Sequence, residues 1–358
     1  MAQSTDTMNM LDLMIRPGFC VKDQMIVKAN AAALAIPIEV GTPVRKLLAS
    51  GEAEYAAFSG GCLYLTLDLY GSPCGASVTR MADCDVFLLD LDAGQSELQA
   101  MALAARELRD PLTSIMTTAD CLFPTEVMQK DPYIREQLAR MNRGMYQLLR
   151  IIGNMSDAER YASGSSARKE TLDITGLMAE IFGKAAVLAE HTGITLEFTN
   201  LRRTVTCLAD KDMLERAILN LLSNSLKFTP RGGTISASLT QRKGLLILTI
   251  QDNGEGVNDH AKGSLYSHFL RRTAIEDSRQ GIGLGMVLVR SAASQHGGTV
   301  LLDQPEEGGT RITMTIAIRQ NTDPIVRSHQ LRIDYAGERD HNLIDLAEIL
   351  PAALYETK

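Results

Sequence analysis

Apolar residues recur through the middle of the chain at alternating steps of three and four. Leu98, Met101, Ala105, Leu108, Leu112, Ile115, Ala119 and Leu122 form one series; Ile134, Leu138, Met141, Met145, Leu148, Ile152 and Met155 form a second. An α-helix turns once in about 3.6 residues, so each series lines one stripe of a helix. The break between Pro124 and Pro132 predicts a short loop and an antiparallel hairpin. Such a hairpin cannot bury both stripes alone. Pairing with a second copy into a four-helix bundle is the expected solution, and packing against the rest of its own chain is the alternative.

On either side of the hairpin the period changes. The small, polar run Ala162–Ala167 reads as a linker. Beyond it, helices are expected at Ile174–His191, Lys211–Lys227 and Leu284–Gln295. Strands are expected at Ile194–Thr199, Thr204–Leu208, Thr234–Thr240, Leu245–Gln251, Thr299–Asp303 and Thr310–Ile318. Short glycine-containing turns between these strands suggest an α+β sandwich with helices on one face of a mixed sheet. The first 90 or so residues are also mixed, with strands near Phe19–Val27, Cys62–Asp68 and Gly75–Thr79. Their size suits one small sensing domain. In the tail, Asp340–Leu354 is expected to form a short helix and a docking element. The expected organisation is therefore 1–94, 95–163, 164–320 and 321–358, a multidomain α+β chain.

The chain has 358 residues, 45% of them hydrophobic, and a formal charge of 36 − 43 = −7. That composition excludes a disordered or disulfide-stapled chain, and an acidic chain lacks the basic footprint of a general nucleic-acid binder. Residues 164–320 depart from the trend, with 18 basic and 16 acidic groups, whereas the tail from 321 has 4 and 7. The positive segment is where a polyanionic ligand is expected. No apolar run approaches the about 18 to 20 residues of a membrane-spanning helix. The opening MAQSTDTMNM lacks the basic start and apolar core of a signal peptide, so a cytoplasmic location is expected. The six cysteines show no metal-ligand spacing and read as separate reduced thiols.

Three motifs carry chemistry. Asn220, Asn224 and Lys227 fall on one face of the helix expected at Lys211–Lys227, where amide oxygens can hold a hard cation and an ammonium can meet a phosphate. Asp252-Asn-Gly254-Glu-Gly256-Val follows an apolar strand, so a carboxylate at the strand end can accept from an amino group while the glycines admit a flat ligand. Gly281-Ile-Gly283-Leu-Gly285-Met opens a helix whose exposed N–H groups suit phosphate. No Lys-Ser/Thr follows, and Met286 stands where a dinucleotide fingerprint needs its third glycine.

In this order and spacing the motifs resemble the ATP-binding domain of sensor histidine kinases, the Bergerat-type sandwich shared with gyrase, heat-shock-chaperone and mismatch-repair ATPases. Asn220–Thr229 is similar to the N box, and Asp252–Val257 and Gly281–Gly285 to the two glycine boxes. Ser267–Arg271 resembles the F box, and His296–Thr299 and Gly309-Thr310 the closing turns. The resemblance implies Mg-ATP as ligand, with Asn224 holding Mg²⁺ and Asn220 beside it. It places Asp252, supported by Thr310, on the adenine amino group. Lys227, Arg271, Gly283 and Gly285 would serve the phosphates, and residues 257–280 would form a lid. The N-terminal segment, through Pro17–Asp23 and Ala29–Ala33, resembles PAS sensor domains.

The hairpin is similar to the family's dimerisation domain, and Arg106-Glu107-Leu-Arg-Asp110-Pro-Leu112 sits where its H box falls. The usual pattern begins with a phosphoacceptor histidine; here Arg106 stands in that place. The six histidines, at 191, 260, 268, 296, 329 and 341, all lie outside the hairpin. A neutral imidazole offers a lone pair to a γ-phosphate and a neighbouring carboxylate such as Glu107 can take its proton. A guanidinium, with a pKa above about 12, has no comparable lone pair. Asp110 also replaces the Thr or Asn that would orient an attacking water, and pairing between Arg106 and Asp110 would give both departures a structural role. Three functions follow from the resemblance: a nucleotide-binding signalling pseudokinase, a phosphotransferase acting in trans, and a non-enzymatic dimeric scaffold. Expected partners are a second copy or another histidine kinase, and a response regulator.

Overall fold

The computed structural model describes residues 11–12, 14, 16–36, 38–81, 83–90, 95–123, 131–162, 168–256, 284–319 and 339–356. Five antiparallel strands come first: β1 (Gly18–Lys22), β2 (Met25–Ala29), β3 (Cys62–Leu69), β4 (Ser72–Arg80) and β5 (Asp85–Asp90). Short helices α1 (Ala31–Leu34) and α2 (Glu52–Ala57) lie between β2 and β3. The strand expected at Phe19–Val27 is a hairpin, because Asp23 and Gln24 adopt φ of 50° and 65° and reverse the chain between β1 and β2. Strand β5 was not expected. Phe87 and Leu89 point from it into a core with Phe19, Tyr55, Leu65 and Val78. Asn30 caps α1 by accepting from the Ala33 N–H at 2.9 Å, and its amide donates to the Arg16 carbonyl at 2.7 Å, which ties the entering segment down.

The hairpin follows as α3 (Gln95–Leu122) and α4 (Pro132–Ala162). Ala105, Leu112, Met116 and Ala119 of α3 pack with Met145, Leu149 and Ile152 of α4. Only part of the predicted stripe lies in this seam. Leu108, Ile115 and Leu122 are 50%, 55% and 65% exposed, and Leu148 of α4 is 49% exposed. The physical reason is geometric: a stripe of about 100° or more is wider than a single neighbouring helix can cover.

The second half of the chain holds β6 (Glu170–Asp173), α5 (Ile174–Glu190), β7 (Thr195–Thr199), β8 (Thr206–Ala209), α6 (Lys211–Phe228), β9 (Thr234–Arg242), β10 (Leu245–Asp252), α7 (Leu284–Gln295), β11 (Val300–Asp303) and β12 (Thr310–Ala317). Asp173 and Asp210 cap α5 and α6 by accepting from Gly176 and Met213 N–H at 3.0 and 3.1 Å. Buried faces of α5, α6 and α7 cover the sheet. Strand β6, also unexpected, pairs with β8 in a separate two-stranded sheet.

All other strands belong to one ten-stranded sheet, ordered β2-β1-β5-β4-β3-β11-β12-β10-β9-β7. Its two halves meet where Tyr64, Leu63 and Cys62 of β3 pair with Val300, Leu301 and Leu302 of β11. Along β11 the side chains alternate: Val300 and Leu302 enter the C-terminal core and Leu301 packs against the N-terminal one. Arg290 of α7 reinforces the join, binding Asp90 at 2.8 Å and lying 4.5 Å from the Tyr64 ring centre.

The tail forms α8 (His341–Asp345) and a single 3₁₀ turn, Ala352–Tyr355. It docks between α4 and α6, as the expected docking element. Ile344 joins the hairpin core, while Leu346, Ala347, Leu350 and Tyr355 join the core under α6. The Tyr355 ring meets Tyr146 of α4 edge-on at 5.1 Å, and Asn142 donates to the Tyr355 carbonyl at 3.0 Å.

Candidate nucleotide site

Helix α6 presents its three motif residues differently from a simple solvated face. Asn220 is 1% exposed, and its amide nitrogen donates to the Arg216 carbonyl at 2.8 Å. Its amide oxygen is buried and has no hydrogen-bond partner among the described residues. That oxygen faces the start of α7: a Cβ on Gly285 would lie 2.7 Å from it, so glycine permits the approach. Asn224 is half-buried, and its amide nitrogen lies 3.8 Å from the Met286 sulfur. Lys227, one turn further on, makes an ion pair with Glu348 of the tail.

The second wall comes from the end of β10. Pairing sets Asp252 between Ile235 of β9 and Thr310 of β12, so a carboxylate stands at the sheet's end, 5% exposed. One carboxylate oxygen accepts from the Gly254 and Thr310 N–H groups at 3.1 and 3.2 Å. Burial pushes the Asp252 carboxyl above the usual range, and these N–H groups with the Ser225 hydroxyl hold it back. Gly254 packs on the end of α6, where a Cβ would sit 2.3 Å from the Phe228 carbonyl oxygen. Gly256 follows at φ +76°. The structure thus brings Asn220 and Asn224 together with the start of α7 at Gly285 and Met286, and Asp252 together with Gly254 and Thr310, while Lys227 follows Asn224 on α6 and is turned to Glu348. A buried carboxylate can accept from an exocyclic amine, while amide oxygens and an ammonium stand along α6 for a cation and an anion. Arg271, Gly281, Gly283 and the lid expected at 257–280 lie outside the described residues, as does the linker beyond Ala162.

His296 has a supporting role. The N–H of Asp210, the cap of α6, donates to its Nε2 at 3.0 Å, and its Nδ1 lies 2.7 Å from the Ala292 carbonyl oxygen. The ring is 2% exposed, and burial holds its pKa below the usual histidine value. It stays neutral and joins the end of α7 to the beginning of α6.

On the hairpin, Arg106, Glu107 and Asp110 are all exposed on α3. The expected Arg106–Asp110 pair is not formed; among the described residues no ion pair joins them. A solvated pair gains only about 0.3 to 0.5 kcal/mol, too little to hold two long side chains in one geometry. Arg109 instead reaches α4, donating to the Ser156 hydroxyl at 3.3 Å.

The residues that sequence reasoning missed join the site to the hairpin and the tail. Arg216 of α6, 2% exposed, meets Asp157 of α4 at 3.1 Å and the Asn154 amide oxygen at 2.7 Å, and it also pairs with Asp345. Arg150 of α4 meets Glu348 at 2.7 Å. An arginine among the apolar positions of α6, four before Asn220, was a signal available in the sequence. The acidic partners in the tail had none.

Residues 209–320 match the family model described as histidine kinase-, DNA gyrase B-, and HSP90-like ATPase. A hybrid signal transduction histidine kinase D from Dictyostelium discoideum is 27% identical over 233 residues, covering 63% of this chain and 15% of that protein. The signal transduction histidine-protein kinase/phosphatase MprB of Mycolicibacterium vanbaalenii is 27% identical over 240 residues, covering 65% of this chain and 48% of that protein. This chain therefore spans less than half the length of either relative. Among solved structures, full-length ShkA in complex with AMPPNP is similar with a TM-score of 0.49 and 22% identity, over 63% of this chain and 47% of that one. Residues 209–320 thus match this ATPase family, and over 63–65% of its length the chain is similar to proteins named as histidine kinases. No helix among the described residues is long and apolar enough to cross a membrane.

Proposed function

We propose that this chain is a signalling pseudokinase of the two-component type: it binds Mg-ATP and dimerises through its hairpin, but cannot phosphorylate itself in the usual way. The observation that carries the reading is the contrast between its two sites. The Asp252 end of the sheet and the amide face of α6 keep a nucleotide-site constellation, whereas Arg106 stands exposed on α3 where the family resemblance puts an acceptor histidine. The site suits the nucleotide. Asp252 can take the adenine amino group, and Lys227, with Arg271 and the glycines of the second box, can serve the phosphates. It also suits Mg²⁺, because the Asn220 oxygen, which has no partner among the described residues, and the carboxamide of Asn224 are hard donors that phosphate oxygens and water would complete. Bound Mg²⁺ would neutralise phosphate charge.

The outward half of the hairpin stripe supports a dimer, since Leu108, Ile115 and Leu122 need a second copy or another histidine kinase to cover them. The antiparallel order β2-β1-β5-β4-β3, with helices between β2 and β3, supports a PAS-like sensor unit. A response regulator is the partner this architecture implies, and a cytoplasmic site the location. The test is phosphoryl incorporation from labelled ATP by the chain and by Arg106→His side by side. Labelling of the variant alone is expected. Labelling of the unaltered chain would overturn the reading and leave another acceptor in its place.

The retained nucleotide residues also favour a second function, transfer in trans to a partner kinase; label appearing on an added partner would establish it.

A further inference from the structure

Lys227 lies on α6 three residues beyond Asn224, and it is already engaged by Glu348. The same carboxylate also binds Arg150 of α4 at 2.7 Å. The tail is held there by its backbone as well. Arg143 donates to the Ala347 and Glu348 carbonyls at 3.0 and 2.8 Å, and Gln147 donates to the Ala347 carbonyl at 3.2 Å. Apolar residues on both sides of Glu348 are fully buried, Leu346, Ala347 and Leu350 each at 0% exposure. This is a built docking groove between the hairpin and the ATPase domain, and its occupant is the acidic end of the chain. Burial alone would raise the Glu348 carboxyl, but Lys227 and Arg150 outweigh it and hold the group below the usual carboxylate range. Glu348 is therefore ionised at neutral pH.

We propose that residues 340–356 are an intramolecular latch, in which Glu348 occupies Lys227 in place of a nucleotide phosphate, so that tail docking and nucleotide binding compete. The proposal rests on the reading of Lys227 as a phosphate ligand. The ammonium has three hydrogens, but a phosphate drawn to Lys227 would stand beside the Glu348 carboxylate, and the repulsion between the two anions sets them in competition. When Lys227 turns to the phosphate, the carboxylate keeps Arg150. In the latched state the tail binds α4 through Arg150 and α6 through Arg216, so it ties the two together. Nucleotide would therefore loosen the domain from the hairpin as it binds.

The test uses the full chain with Mg²⁺ and ATP, and compares it with Glu348→Gln and Arg150→Gln. Calorimetric titration reads the affinity, and amide hydrogen exchange over 340–356 reads the latch. For a latch closed about ten to one, Glu348→Gln is expected to bind ATP about tenfold more tightly. Arg150→Gln, which lies outside the nucleotide constellation, is expected to shift affinity in the same direction by less. Saturating ATP is expected to speed exchange of the Leu346–Leu350 amides in the unaltered chain. Equal ATP affinity in all three chains, with tail amides equally protected with and without ATP, overturns the latch and leaves nucleotide binding standing. No ATP binding by any of the three overturns the nucleotide-site reading and the competition with it.

Discussion

Asp345→Ala should be among the most damaging single changes outside the apolar cores. Asp345 is 0% exposed and pairs with Arg216, itself 2% exposed, which also meets Asp157 at 3.1 Å. Asp157 in turn meets Arg160 at 2.9 Å, so two guanidinium and two carboxylate groups are gathered where α4, α6 and α8 converge. Removing the Asp345 carboxylate takes away one of the acidic partners of the buried Arg216. Breaking a fully buried pair from one side costs about 3 to 5 kcal/mol. The Arg160 side chain is 50% exposed and water can screen it, so the expected loss is lower, about 2 to 3 kcal/mol. Arg216→Met should cost more, because it takes the guanidinium from both Asp345 and Asp157 at once. Urea unfolding of the full chain, followed by helix signal, measures both, with the slope checked for constancy. In the double variant the losses should fall short of their sum by about 1 kcal/mol or more, since the two residues share one interaction. Strict additivity, or a loss under about 1 kcal/mol for Asp345→Ala, would refute the claim that this pair holds the tail to both domains.

Two further outcomes follow from the geometry. His296 is held below its ordinary pKa by burial, so the unfolded chain binds its proton more readily than the folded one. Its contribution is present above about pH 6.5, the unfolded value, and is lost as pH falls towards the folded one. Urea midpoints should therefore drop on acidification below that value, and the dependence should flatten in His296→Gln; an unchanged slope in that variant counts against the assignment. On the hairpin, Ile115→Ser, at a position 55% exposed in the single chain, should lower the sedimentation mass from two copies to one while leaving the helix content intact. A single-copy mass for the unaltered chain would remove the dimer from the proposal.

What could be read from the sequence, and what could not, divides along the range of the interactions involved. Helix α7 appears at its expected limits because its apolar period is local, and β9, β10 and β12 appear because period-two alternation sets strand faces within a few residues. Strand β5 escaped notice because Val-Phe-Leu-Leu between two aspartates has no alternation and is too short to distinguish from a loop. The Asn220–Asp252–Thr310 constellation was legible because its motifs carry unusual residue types at fixed spacing. Burial of Asn220 was not, since the face of α6 that meets α7 depends on tertiary packing. Glu348 was beyond reach. A single glutamate in an acidic tail gains meaning only from Lys227 and Arg150, which lie 121 and 198 residues away in the chain.

The pairing of β3 with β11 makes the N-terminal part of the chain a poor candidate for modular exchange. A fragment beginning at residue 164 would keep every described nucleotide-site residue, yet it would present β11 as a bare edge with unpaired N–H and C=O groups and with Leu301 stripped of its cover. Domain shuffling, natural or engineered, must therefore either carry the N-terminal strands along or supply a substitute cap for that edge.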